Sequence, residues 1–222
     1  MLRTAVSVTA AAIAATCALA ACGPTRMGSA AILGNERITS TALSDQVANL
    51  QQAYQANKSK IQLQFPLSQA PQEVLAWLVR FRVRDEMATR NHVKVSSGQG
   101  ERALASIAAQ AGPAGIKNLD VANGLPPDLL PALGRYAAIQ NALVNSMDHG
   151  TLPKSTAAQQ ALGAAVALRQ CRAAKAMNIM VNPRFGRLDY SQLSVIPAAT
   201  ALSAPVTPSP SPSTRPVLKP PC

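Results

Sequence analysis

The cysteine that ends the run Leu-Ala-Ala-Cys at residues 19–22 is the residue best placed to do chemistry. It follows one basic residue, Arg3, and a stretch of apolar and small residues over 5–18. A short charged start, an apolar middle and a small-residue cleavage zone are typical of a secretory signal peptide. The apolar stretch is too short and too rich in alanine to form a stable membrane span. The sequence therefore predicts that residues 1–21 are a signal peptide that is removed on export.

The same four residues resemble the bacterial lipobox, in which the cysteine thiol is alkylated by a diacylglycerol and the chain is then cut just before the cysteine. The resemblance implies that cleavage falls after Ala21 and that Cys22 becomes the lipidated first residue, with residues 22–29 as a tether. Because two acyl chains hold a protein stably on a bilayer, we expect a lipoprotein on the extracytoplasmic face of the cell membrane. An ordinary signal peptide with a chance cysteine is the alternative.

The remaining thiols do not suggest a metal or cofactor site. Cys17 leaves with the signal peptide, while Cys171 falls in a predicted helix and Cys222 in a predicted tail. An exported compartment permits a bridge between the last two, but the helix and the tail favour the absence of a bridge between them. The chain has no CxxC pair and no cluster of cysteine and histidine, so no metal or other cofactor is expected.

Side chains that could catalyse a reaction are few. His92 and His149 lie near predicted helix ends, where a solvated role is the ordinary one. The acidic pair Asp85 and Glu86 lies among arginines, which favours surface ion pairs over acid–base catalysis. No phosphate-binding glycine loop and no Gly-x-Ser-x-Gly motif is present. The sequence gives no support for an enzyme.

The net charge restricts the possible partners. The chain carries +11, and removal of the signal peptide takes away only Arg3, which leaves +10. Anionic lipid head groups and anionic wall polymers are the acidic partners outside a cytoplasm, although a generally basic soluble surface would look the same. Nucleic acid is not expected, because no basic patch is interleaved with aromatic residues.

The composition predicts a mainly α-helical domain. Aromatic residues make up only 3% of the chain, and alanine, the best helix former, dominates several stretches, so we expect close helix contacts between small residues. The second predicted helix is apolar on every side over its first half, which places it at the centre of the core. Its arginines Arg80, Arg84 and Arg90 are expected to stay in water. Apolar spacing predicts five helices, over about 42–57, 71–91, 100–110, 128–147 and 156–178.

Short strands and loops complete the prediction. Gly34 and Asn35 lie between two short apolar pieces and predict a tight turn between strands. A further strand is predicted over 178–182, and loops are predicted over 58–69 and 114–127. The stretch over 185–196 is predicted to be extended or irregular. From residue 197 to residue 222 the chain is rich in proline and serine, which predicts a disordered tail that acts as a spacer.

In this order, the elements resemble the N-terminal domain of the SurA/PrsA-type periplasmic chaperones and foldases, in the reduced form found as actinobacterial lipoproteins. Residues 32–39, Ile-Leu-Gly-Asn-Glu-Arg-Ile-Thr, stand where the family has Val-Asn-Gly-x-x-Ile-Thr, with Gly and Asn reversed. Val95-Ser96 resembles a family helix start, and residues 179–186, Ile-Met-Val-Asn-Pro-Arg-Phe-Gly, resemble its Ile-Asn-Pro-Arg-Tyr-Gly ending. The resemblance implies a mainly α, five-helix domain over 30–190 in which strand 30–38 pairs with strand 179–182.

The same resemblance implies a function. The protein would be a membrane-anchored, ATP-independent chaperone-like module that binds unfolded or newly exported polypeptides in an apolar cleft. Aromatic residues at helical spacing are, however, also typical of a hydrophobic core. A cell-envelope adaptor that binds one specific partner is the second hypothesis. A prolyl isomerase is the least favoured, because the loops are too short to hold the parvulin-type domain of many family members. The candidate polypeptide-binding residues are Tyr54, Trp77, Phe81 and Tyr136.

Overall fold

The computed structural model describes residues 28–112, 115–147 and 155–197. Several predictions concern residues outside these ranges. They include the signal peptide, the lipidation of Cys22, the tether up to residue 27, the position of His149, and the tail after residue 197 with Cys222.

The described chain opens with the predicted hairpin. Strand β1, Ser29–Leu33, and strand β2, Glu36–Thr39, run antiparallel with Leu33 opposite Glu36. Gly34 in the turn has a φ of +58°, a conformation that glycine adopts without steric cost. The predicted turn is therefore confirmed.

The predicted pairing of an early and a late strand is also confirmed. Strand β3, Met180–Val181, lies antiparallel to β1, which gives a three-stranded sheet in the order β2-β1-β3. Asn182 extends this pairing, since its Nδ2 donates to the carbonyl oxygen of Ser29 at 2.9 Å and its backbone N–H donates to that of Ala30. The sheet has one strand more than the predicted pair, because β2 stays hydrogen-bonded to β1.

Helices make up most of the described residues, and five of them match the five predicted ones. No helix in the described ranges is long and apolar enough to cross a membrane. The five are α1 Ser40–Ala56, α2 Ala70–Arg90, α3 Ser97–Gln110, α5 Leu130–Met147 and α6 Thr156–Ala176.

A sixth helix, α4, covers Gly115–Ala122, so the prediction of a loop over 114–127 is wrong. Glycine and proline around this segment favour a loop on local propensity, and a helix this short is not stable by itself. Tertiary contacts stabilise it, since Val121 is buried in the core and Ile116 packs against a second group of apolar residues.

The stretch over 185–196, predicted to be extended or irregular, is extended in two short segments. Strands β4, Arg187–Asp189, and β5, Ser194–Ile196, form a second antiparallel hairpin. A three-residue strand is too short for its alternation of apolar and polar residues to be recognised in the sequence. Burial of Leu193 and Val195 in the core holds the hairpin on the helices.

Apolar side chains form two separate clusters. The main core is aliphatic and joins α1, α2, the strands and α6, with Leu43, Leu50 and Leu75 almost wholly buried. The second cluster lies between α2, α3, α4 and α5. Because α2 contributes to both, its predicted place at the centre is confirmed. The second cluster consists of buried Phe81, Leu125, Leu130 and Leu133, with Trp77, Leu104, Ile107, Ile116, Leu129, Ala132 and Tyr136 packed around them.

Helices α3 and α5 approach each other closely at two glycines. A Cβ atom added to Gly134 would lie 2.6 Å from the carbonyl oxygen of Gly100 and 3.0 Å from the Cβ of Leu104. This crossing forms one wall of the second cluster and is the kind of small-residue contact that the composition predicts.

Cys171, on α6, is disulfide-bonded. The prediction that no bridge joins Cys171 to Cys222 concerns a residue outside the described ranges and stays a prediction.

Candidate functional site

The structure brings together three of the four predicted polypeptide-binding residues. Trp77 and Phe81 follow each other by one turn of α2, with ring centroids 5.7 Å apart. Tyr136, from α5, lies edge-on to Phe81 with a centroid distance of 5.9 Å. These three residues, named here the aromatic row, form one side of the second cluster.

Tyr54 does not belong to this row. It lies near the end of α1 and packs against the main core. It also lines an open groove with Lys58, Lys60 and Phe65. Tyr54 and the other three predicted residues therefore lie in different apolar clusters.

The aromatic row is accessible only at its edges. Phe81 is only 8% exposed and serves the core, whereas Trp77 and Tyr136 are partly buried. The indole Nε1 of Trp77 donates to the carbonyl oxygen of Asn123 at 3.0 Å, which fixes the ring. A bound chain could therefore touch the rims of Trp77 and Tyr136 but not Phe81.

Arg80 covers the outer face of Trp77. Its guanidinium carbon lies 5.0 Å from the indole ring centroid, a cation–π distance. Its Nε donates to the carbonyl oxygen of Leu193 at 3.1 Å. Burial lowers the pKa of Arg80, and Glu73 acts in the opposite direction. Arg80 is thus partly withdrawn from water, contrary to the prediction.

Arg84 departs further from the sequence prediction, because only 3% of it is exposed. Its guanidinium donates to Tyr136 Oη at 2.6 Å, to Gln170 Oε1 at 2.8 Å and to Gln140 Oε1. It also lies 4.2 Å from the centroid of the Tyr136 ring. The prediction that Arg84 stays in water is wrong, because oxygen atoms from α5 and α6 replace the water.

No acidic partner neutralises this buried cation within the ranges that the structure describes. The three ion pairs found there involve Arg82, Arg90 and Arg135 instead. Arg84 Nε is buried and has no hydrogen-bond partner. Arginine keeps its charge inside proteins, so the junction of α2, α5 and α6 holds a net positive charge next to the aromatic row.

An open apolar groove lies between α3 and α5, beside the second cluster. It has a volume of about 410 Å³, and Leu104 belongs to both the groove and the cluster. Pro131, Gly100 and Arg135 also line it. On the neighbouring helix α4, Leu119 is 51% exposed, one turn after Ile116. Together these residues offer apolar surface that the other described residues leave open.

Asp120 adds one unusual ionisable group to α4. Burial raises its pKa to about 6, and its Oδ2 is buried without a hydrogen-bond partner. The described residues contain no group of three histidine, cysteine or acidic side chains that could hold a metal.

Sequence reasoning identified the aromatic residues but missed the surface next to them. The apolar stripe of α3, including Leu104 and Ile107, is visible in the sequence. Its orientation toward α5 depends on the Gly100–Gly134 crossing, which has no signal in the sequence of either helix alone.

Comparisons of the chain with protein-family models, with curated proteins and with solved structures give no match.

Proposed function

We propose that this domain is a SurA N-terminal-like, chaperone-like module that binds unfolded exported polypeptides without catalysing a reaction. The proposed site is the exposed side of the second cluster, from Trp77 across Leu104 to Leu119. One observation supports this above the others. The chain has a complete aliphatic core, yet keeps a second apolar cluster beside an open groove. Large apolar patches left open on a soluble domain are typical of binding surfaces.

The proposal includes an anchor and a location. A lipid on Cys22 would hold the domain on the extracytoplasmic face of the cell membrane, where newly exported chains emerge. Helix α6 carries three exposed basic residues, Arg169, Arg172 and Lys175, and no acidic one. This surface is suited to contact with anionic lipids or wall polymers, an attraction of about 1 kcal/mol for each basic residue near a membrane.

Suppression of aggregation tests the proposal. The chain from residue 22 with Cys22→Ser would be titrated into two unrelated aggregating proteins, with and without 0.3 M salt, which shortens the range of charge interactions to roughly 6 Å. We expect suppression of both proteins that survives salt. Suppression lost in salt would mean that only the positive charge acts. No suppression of either protein would rule out a chaperone and leave an adaptor for one partner.

Two exposed apolar residues provide matched variants. Leu119 is 51% exposed on α4, next to the proposed site, and Met180 is 46% exposed on β3. Leu119→Ser and Met180→Ser should both leave the free energy of unfolding within about 0.5 kcal/mol of the parent, as for other surface changes. We expect Leu119→Ser to raise severalfold the concentration needed for half suppression, and Met180→Ser to leave it unchanged. Equal effects would place the site elsewhere.

A further inference from the structure

The outer edge of strand β2 is open. The sheet has the order β2-β1-β3, so β2 has a strand partner on one side only. Within the described ranges, no backbone hydrogen bond joins Arg37 or Ile38 to a residue outside the pairing with β1. Leu33 and Glu36 close a two-residue turn and therefore exchange hydrogen bonds with each other. Because the pattern alternates along the strand, the backbone N–H and C=O of the next residue, Arg37, point to the open edge.

A groove of about 380 Å³ runs along this edge. Three consecutive residues of β2 line it, Arg37, Ile38 and Thr39. Because successive side chains of a strand point to opposite faces of the sheet, a groove on one face would not meet all three, whereas a groove along the edge does. The other walls come from one side of α1, from α2 and from the turn before α5, with Ala42, Asp45, Gln46, Leu78, Arg82 and Leu129.

One buried polar atom on the wall of this groove lacks a partner. Gln46 Oε1 is buried and accepts no hydrogen bond from the described residues. Buried oxygens of this kind nearly always have a donor, so the atom indicates a ligand that carries N–H groups. Leu78 and Leu129, both half-buried, line the same groove. The backbone N–H of Asp128 donates to Asn49 Oδ1 at 3.4 Å, which holds the turn with Leu129 against α1.

The charges of the groove are mixed, so they do not favour an anion or an anionic lipid. Arg37 and Asp45 carry opposite charges, and both side chains are exposed. The Nε of Arg82 already lies 3.2 Å from a carboxylate oxygen of Glu36. An uncharged ligand that offers donors, acceptors and apolar groups in alternation fits this lining. A polypeptide backbone with apolar side chains has these properties.

We propose that an extended segment of unfolded polypeptide binds in this groove as an added strand beside β2. Its backbone exchanges hydrogen bonds with the N–H and C=O of Arg37, as in other cases of strand addition to an open sheet edge. A further N–H of the segment donates to Gln46 Oε1, and its apolar side chains contact Leu78 and Leu129. The inference rests on the proposed function for its class of ligand and adds a second surface, separate from the one beside the second cluster.

Peptide binding tests this inference. The chain from residue 22 with Cys22→Ser would be titrated with a fluorescent peptide of alternating valine and threonine that carries a lysine at each end. Fluorescence anisotropy gives the Kd. The same peptide, N-methylated at every interior residue, keeps its side chains but has lost the N–H groups that strand addition requires. We expect the unmodified peptide to bind and the N-methylated one to bind at least about tenfold more weakly, as for the loss of two hydrogen bonds.

Two alanines of α1 provide matched variants. Ala42 and Ala48 are both exposed, and of the two only Ala42 lines the groove. Ala42→Trp should fill the groove and abolish binding of the peptide, whereas Ala48→Trp should leave the Kd unchanged. Gln46→Met keeps the volume of the side chain and removes the acceptor. It should raise the Kd about fivefold, as for the loss of one hydrogen bond.

The other outcomes separate this inference from the proposed function. Binding that neither N-methylation nor Ala42→Trp weakens would overturn the edge site, and a loss of that binding in Leu119→Ser would keep the surface beside the second cluster. A parent chain that does not bind the peptide would also overturn the edge site, while suppression of aggregation decides the proposed function separately. A dimer of the parent that Ala42→Trp dissociates in sedimentation would show that a second copy occupies the groove, and would overturn the inference.

Discussion

The main core and the second cluster lie on the same helix, α2, and differ in size and in how completely they are buried. On one side of α2, the main core packs aliphatic side chains such as Leu50, Leu75 and Val79 with almost no exposure. On the other side, the second cluster has only four buried residues, with aromatic rims open at its edge. The buried guanidinium of Arg84 and the partly buried carboxyl of Asp120 occur near that side. The difference suggests that the main core provides stability, while the second cluster keeps apolar surface available.

The largest expected effect comes from truncating one leucine in each region. Leu75→Ala should lower the free energy of unfolding by about 2–5 kcal/mol, because it empties a fully buried site. Leu104→Ala should lower it by about 1 kcal/mol, since part of that side chain already meets solvent. Urea titration gives both values. The suppression of aggregation should instead weaken more in Leu104→Ala. Equal losses of stability would show that the second cluster is ordinary core.

Two arginines of α2 compare a buried cation, at the junction of α2, α5 and α6, with an exposed one. Arg84→Ala should lower the free energy of unfolding by about 2–4 kcal/mol, because it leaves the partly buried oxygens of Gln140 and Gln170 without their donor and empties the buried space of the arginine side chain. The control is Arg82, two residues earlier, which is exposed and forms a 3.2 Å ion pair with exposed Glu36. Arg82→Ala should change stability by less than about 0.5 kcal/mol. A small effect of Arg84→Ala would mean that water can replace the guanidinium there.

The glycine crossing tests whether the wall of the second cluster is tightly fixed. A methyl group at Gly134 would meet the carbonyl oxygen of Gly100 at 2.6 Å, whereas one at Gly100 would meet the backbone nitrogen of Arg135 at 3.3 Å. Overpacking of this kind destabilises by about 1–3 kcal/mol, and the better helix propensity of alanine offsets part of it. Gly134→Ala should therefore lower the melting temperature clearly, and Gly100→Ala should lower it little. If both variants melt like the parent, α3 and α5 can move apart.

The sequence was sufficient wherever a signal was local. The turn at Gly34, the five long helices and the central place of α2 each follow from patterns within a few residues. The missed features depend on distant contacts. The charge of Arg84 predicts that its side chain lies in water. Gln140 and Gln170, whose oxygens accept hydrogen bonds from it, lie 56 and 86 residues further along the chain. Helix α4 and the hairpin β4–β5 are too short to be stable alone and form because the core accepts Val121 and Leu193.

The smallest expected effect concerns the acid beside the second cluster. Burial raises the pKa of Asp120 to about 6 from 3.8, so the folded state favours the protonated carboxyl. The stabilisation from this proton is complete below about pH 4 and is lost as the pH rises through 6. Asp120→Asn should therefore increase the free energy of unfolding at pH 7 and change it little at pH 4. About half of the side chain meets water, so solvent screening keeps the gain near 1 kcal/mol.

Urea titrations at the two pH values measure this difference, with Asp45→Asn as the control. Asp45 is exposed on α1, so Asp45→Asn measures the effect of removing an acidic charge from the surface. A gain for Asp120→Asn at pH 7 that persists at pH 4 would point to better packing of the amide, not to the proton. A loss at pH 7 would show that the carboxylate has a partner in solution, and that this edge of the second cluster is closed.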